Sequence, residues 1–203
     1  MFIQTEATPN PATVKFLPGQ TILEKGTMDF QTLEAAKEAP LAQRLFTLQG
    51  VRGVFFGHDF VSVTIDEDTD WSMLKSMVMA MLMEHLSTGQ PIVSESARQA
   101  AGEGDSNEED SEIVAQIKEL LETRVRPAVA MDGGDIVFEE FTDGIVFLRM
   151  QGACAGCPSS TATLKSGIEN MLKHFIPEVE AVRPDAYEIR LMVFNCYRIL
   201  FFQ

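Results

Sequence analysis

The sequence predicts an α+β fold class: two small α+β domains joined by an acidic flexible linker. Three observations lead there. In both halves, short β-rich runs alternate with apolar runs of helical period. A polar, acidic stretch at residues 94–112 separates the halves. The chain has 203 residues, 45% of them hydrophobic, which suits two compact cores.

In the first domain, residues 1–93, Phe2 to Glu6 and Thr13 to Leu17 read as strands around the Pro9-Asn10-Pro11 turn. Pro40 to Thr47 reads as a helix with Leu41, Leu45 and Phe46 on one face. Val51 to Phe56 and Phe60 to Ile65 form a hairpin about Gly57-His58-Asp59. Trp71 to Leu86 is the strongest helix, with Trp71, Leu74, Val78, Met81, Leu82 and His85 at core spacing. Met73, Met77, Met79 and Met83 crowd the same helix and are expected to be adaptable core.

The linker, Ser94 to Glu112, has no apolar side chain larger than Ala, so it cannot bury enough surface to offset its ordering entropy. It holds seven acids and one base, a net of −6 out of −14 for the chain. That run is expected to serve solubility.

The second domain, residues 113–186, opens with Ile113, Ile117, Leu120, Leu121 and Val125 on one helical face, capped by Asp110 or Ser111 and ending near Pro127. Asp132-Gly133-Gly134-Asp135 reads as a tight turn, its two acids serving the backbone rather than forming a carboxylate pair. Ile136 to Phe141 and Ile145 to Met150 form a second hairpin about Thr142-Asp143-Gly144. The loop Gly152-Ala153-Cys154-Ala155-Gly156-Cys157-Pro158 follows, then a helix burying Leu164, Ile168, Met171, Leu172 and Phe175, then a strand at Val179 to Arg183. Residues 187–203 form an atypical apolar tail. His58, His85 and His174 are isolated and read as surface or packing residues.

A net charge of −14 argues against non-specific nucleic-acid binding and against docking on anionic membranes. The N-terminal stretch has neither a basic region followed by an apolar run nor an Arg-rich character. No stretch reaches the roughly 18 apolar residues of a spanning helix. Three cysteines, Cys154, Cys157 and Cys196, do not suggest a secreted disulfide scaffold. The expected setting is a reducing compartment: the cytoplasm of a bacterium, or the mitochondrial matrix after processing.

The Cys154-x-x-Cys157 spacing lets two sulfurs face one metal centre, and thiolates are what soft metals and iron–sulfur clusters require. Gly and Ala around the pair let the backbone approach such a centre. Pro158 favours a first helical turn, whose partial positive charge would steady thiolates and an anionic cluster. The spacing alone leaves cluster or metal ligation, dithiol–disulfide exchange and a structural zinc module all open. An oxidoreductase of thioredoxin type would need the pair to open a helix within a βαβ unit, whereas here a helix and an antiparallel hairpin come first. Two sulfurs do not complete a four-ligand site. Cys196 could add a third only if the tail folds back, and symmetry supplies the simplest completion: two chains donating one pair each. A cluster so shared is exposed and can leave by ligand exchange.

The run from Met131-Asp132-Gly133-Gly134-Asp135 to Gly152-Ala153-Cys154-Ala155-Gly156-Cys157-Pro158-Ser159-Ser160 resembles the NifU C-terminal-like domain of Nfu-type iron–sulfur proteins. Thr8-Pro9-Asn10-Pro11-Ala12-Thr13-Val14-Lys15-Phe16 resembles the separate Nfu N-terminal domain. The likeness reaches nearly all of residues 1–186. It implies a non-enzymatic carrier that holds a [4Fe–4S] cluster between two subunits, on Cys154 and Cys157, and delivers it to apo-enzymes. It also implies that the cysteine-free N-terminal domain recognises recipients or upstream cluster donors.

Overall fold

The computed structural model describes residues 2–102, 111–155 and 158–184. In the N-terminal half, β1 (Gln4–Ala7), β2 (Thr13–Leu17), β3 (Met28–Phe30), β4 (Val51–Phe56) and β5 (Val61–Ile65) form an antiparallel sheet ordered β1-β2-β5-β4-β3. Helices α1 (Pro40–Phe46) and α2 (Trp71–Ser87) pack together on one face of it. Strand alternation assigns the faces. Phe16, Val54, Phe56, Val61, Val63 and Ile65 point into the core with Leu41, Leu45, Leu74, Val78 and Leu82. The short β3 and a 3-10 turn at Ala35–Glu38 have no periodic signature in the sequence.

Helix α2 starts where Asp70 accepts from the Ser72 amide at 2.9 Å. Its core face is Leu74, Val78, Leu82 and His85, as the periodicity required. The methionine stripe is not core: Met73, Met77 and Met83 are exposed, and only Met79 packs against the cluster. The one-face burial of α2 is already filled by the branched residues.

The expected linker does not begin at Ser94. Glu95–Gly102 form helix α3, because Ser94 Oγ accepts from the Ala97 amide at 3.1 Å, and Ser94 and Ser96 both donate to Glu38. The rest of the acidic run lies mostly outside the described residues.

In the C-terminal half, helix α4 (Glu112–Leu120) starts with Ser111 Oγ accepting from the Val114 amide. The helix does not end near Pro127. It passes through a π-helical turn at Leu121–Val125 into α5 (Arg126–Met131), which carries Pro127 in its first turn, where no amide donor is needed. The hairpin β6 (Gly134–Thr142) and β7 (Ile145–Gly152) turns through Asp143 and Gly144, both in left-handed conformation. Helix α6 (Pro158–Phe175) then crosses to β8 (Ala181–Pro184), parallel to β7, giving the sheet β6-β7-β8. A second core forms around Ile117, Leu121, Val129, Ile136, Leu148, Ile168 and Leu172. The two cores share no residue. Among the described residues no helix is long and apolar enough to cross a membrane.

Candidate functional site

Cys154 sits just past the end of β7, in the turn leading toward α6, and is 3% exposed. It packs into the C-terminal core. Cys157 and Cys196 lie outside the described residues, so the expected pairing of Cys154 with Cys157 is not visible, nor is any role for Cys196. Among the described residues no three His, Cys, Asp or Glu side chains converge as a metal site.

The loop carrying Cys154 is tied to the Asp132–Asp135 turn by the start of the β6–β7 ladder, where Gly134 pairs with Gly152 and Asp135 with Gln151. The Ala153 amide donates to Gly133 O at 3.1 Å. Glycine is required here by space. A Cβ at Gly134 would lie 2.5 Å from Gln151 O and 2.9 Å from Cys154 Sγ. Gly152 has φ +62, and a Cβ on it would lie 2.8 Å from Gly133 O. Gly134 thus leaves the room that the Cys154 sulfur occupies, and Gly152 lets the two loops and Phe55 close together.

Asp135 does more than turn the backbone. Its carboxylate is buried and takes a bidentate pair from Arg126, Nε to Oδ1 at 2.8 Å and Nη2 to Oδ2 at 2.6 Å. Arg126 also reaches Glu122, and these acids hold its guanidinium in the charged form. The Ile136 amide donates to Asp135 Oδ1, and Thr27 Oγ1 donates to Oδ2 at 2.6 Å. Asp132 has no such network among the bonds that shape the site. The sequence gives no sign of Arg126 or Thr27 as partners, because both reach Asp135 from other elements.

Thr27 belongs to the N-terminal half, so the site is bordered by both domains. The outer face of the N-terminal sheet lies against the two loops. Asn10 Nδ2 donates to Ala153 O at 3.2 Å, beside Cys154. Asp29 Oδ1 accepts from the Gly152 amide, and burial pushes the Asp29 carboxyl above its usual range, against the opposing pull of hydrogen bonds from Gln31 and Gly152. Two histidines pack against backbone carbonyls, His58 Nδ1 at 2.8 Å from Leu23 O and buried His85 Nε2 at 3.1 Å from Pro91 O, while His174 lies on the surface, edge-on to Phe175.

The cysteine pair lies between β7 and α6 of a β7–α6–β8 parallel crossover. The expected order holds: helices α4 and α5 and the antiparallel hairpin come first, and β8, the strand expected at Val179 to Arg183, closes the crossover. An antiparallel hairpin partner, β6, still precedes it.

Comparison with known proteins matches residues 3–89 to the domain described as scaffold protein Nfu/NifU N terminal, and residues 117–183 to the NifU-like domain. The human NFU1 iron-sulfur cluster scaffold homolog, mitochondrial, is 54% identical over 183 residues, covering 90% of this chain and 71% of its own length. NifU-like protein 4, mitochondrial, of Arabidopsis thaliana is 52% identical, covering 91% of this chain and 66% of its own. A solution structure of a NifU-like protein from Saccharomyces cerevisiae aligns with 47% of this chain and 86% of that one, at 25% identity and a TM-score of 0.43. With both domain matches and a relative this similar over most of its length, the chain belongs to the Nfu/NifU-like family of iron–sulfur cluster scaffold proteins.

Proposed function

We propose that this chain binds a [4Fe–4S] cluster between two copies of itself, through Cys154 and Cys157 of each, and hands it to apo-proteins. The observation that carries this is the space that Gly134 leaves for the Cys154 sulfur, at the end of a strand and just ahead of a helix that starts at Pro158. A helix start there favours an anionic centre. Two thiolates per chain fill half of a four-ligand site, so the loaded species is a dimer with one cluster. The cluster is cargo, and its exposure at a subunit junction permits ligand exchange with a recipient.

Within this reading, residues 113–186 hold the cluster, and residues 1–93 recognise recipients or upstream donors. The relatives named above are mitochondrial by name, which supports a matrix setting over the bacterial cytoplasm. Anaerobic reconstitution with iron and sulfide, followed by native mass spectrometry, tests the reading. One [4Fe–4S] cluster per two chains is expected. A monomer retaining a full cluster would overturn it and direct attention to Cys196.

The second reading, a dithiol–disulfide oxidoreductase, draws support from the β7–α6–β8 crossover around the pair. The burial of Cys154 obstructs an attacking thiolate and a shared cluster alike, so the assay separates the two readings. Insulin reduction by the wild-type chain, without cluster transfer to an apo-enzyme, would favour this second reading.

A further inference from the structure

A two-layer domain, helices on one side of a sheet, ordinarily leaves the other sheet face in water, and that face is polar. Here the centre of the outer face is buried. Thr13, Lys15, Phe55, Phe60 and Ser62 are at most 7% exposed, and Phe55 and Phe60 belong to neither hydrophobic core. The register aligns part of this face into one row across all five strands. Glu6 pairs with Lys15, Lys15 with Ser62, Ser62 with Phe55 and Phe55 with Asp29.

Four members of that row touch the C-terminal domain at the two loops of the candidate site. Lys15 Nζ donates to Met131 O at 3.2 Å and Ser62 Oγ to Gly133 O at 2.7 Å. A Cβ on Gly152 would lie 2.9 Å from Phe55 Cγ, so the ring sits flush against that backbone. Asp29 takes the Gly152 amide. Glu6 supports the row from its end, 3.3 Å from Lys15 Nζ. Most of these bonds read main-chain groups of Met131–Ala153 rather than side chains. They fit these loops by backbone shape, which the glycines permit.

We propose that this row is a docking strip for the chain's own cysteine-bearing loop. In the cluster-free chain the strip covers the arm leading to Cys154, and it is vacated when two copies share a cluster. The inference rests on the scaffold reading above. Cys154, packed in its own core at 3% exposure, cannot meet a cluster held jointly with a second chain until its turn shifts, and the strip pins the Gly152 backbone from which that turn starts. The strip is the separable element. It joins two domains whose apolar cores share no residue, through hydrogen bonds and the Phe55 ring. An open groove of about 480 Å³, lined by Gly26, Thr27, Lys118, Glu122, Arg126 and Phe138, runs along the same junction and leaves it incompletely packed. Interfaces of this polar kind open more readily than cores.

The test compares full-length, cluster-free variants. Ser62→Asp sets a carboxylate against Gly133 O, and Ser62→Thr keeps the donor. Asn10→Asp keeps the Oδ1 that accepts from the Ala12 amide but loses the donor to Ala153 O, and it serves if Ser62→Asp does not fold. The rate of iodoacetamide alkylation at Cys154, read by peptide mass spectrometry, is the readout, with deuterium exchange of residues 131–154 beside it. Ser62→Asp and Asn10→Asp should each raise the Cys154 rate by about tenfold, loosen exchange in both loops and load cluster faster, while Ser62→Thr should match wild type. Equal Cys154 rates in wild type and in folded Ser62→Asp or Asn10→Asp would overturn the strip as a cover. If wild type takes up cluster normally in that case, the scaffold reading stands and docking alone fails. If wild type takes up no cluster, the scaffold reading fails, while the alkylation comparison still decides the docking.

Discussion

Gly133 O accepts two hydrogen bonds, from the Ala153 amide of its own domain at 3.1 Å and from Ser62 Oγ of the other domain at 2.7 Å. One carbonyl therefore joins the acidic-glycine turn, the cysteine loop and the N-terminal sheet. A buried carbonyl with both lone pairs used is costly to disturb from either side.

The glycines around that carbonyl should tolerate no side chain. Gly152→Ala faces a positive φ and contacts under 3 Å with Gly133 O and Phe55, so it should lower stability by about 2 kcal/mol in urea unfolding. Gly134→Ala pushes on Cys154 Sγ directly. It should lower iron retained after reconstitution severalfold, with far-ultraviolet circular dichroism little changed. Wild-type iron content in Gly134→Ala would show that the sulfur's position is unimportant.

Removing the Asp135 carboxylate leaves Arg126 half-buried with only Glu122. Asp135→Ala should cost about 2–3 kcal/mol, less than for a fully buried pair because Arg126 keeps some water contact. Asp135→Asn keeps one acceptor and should cost less. Thermal unfolding of the two variants gives the order.

Cys154→Ser and Cys157→Ser should each remove two of four ligands per dimer, abolishing cluster retention and delivery to an apo-aconitase-type acceptor. They should differ in stability. Cys154 belongs to the core, so a hydroxyl there should cost about 1–2 kcal/mol. Cys154→Ala should recover much of that loss without recovering the cluster. Cluster retention by either serine variant would show that it supplies no ligand.

His85 should set a pH dependence of stability. Burial lowers its pKa below the ordinary histidine value of 6.5. Pro91 O takes the proton of Nε2, and buried Nδ1 has no hydrogen-bond partner, so protonation would bury an unsatisfied donor. The unfolded chain then binds more protons than the native one. The contribution is whole above about pH 6.5 and is lost progressively as pH falls from there toward the depressed native value. Unfolding free energies at pH 7.5 and 5.5 should show the decline, and His85→Gln should flatten it.

Elements with a strong local pattern are legible in the order of residues alone. The hairpin Val51–Ile65, the face Leu74-Val78-Leu82 of α2 and the turn at Asp143-Gly144 depend on neighbours within a few residues, and the chain writes those neighbours in order. The cysteine pair and its flanking glycines are equally visible, because close backbone approach needs a small residue at a known place. Pro127 misleads, because its cost depends on whether the preceding turn can widen, which is a matter of packing.

The scaffold family and the division into two domains are thus present in one dimension. The burial of Lys15, Ser62 and Phe55 is not. In sequence, an alternating strand such as Thr13–Leu17 has a polar face that reads as solvent-exposed. That face becomes an interface only when a loop far along the chain, at Gly133, supplies carbonyls to satisfy it. Hydrogen bonds to main-chain atoms leave no mark of residue type on the partner, so a docking surface made of them appears only when the two domains are folded and placed together.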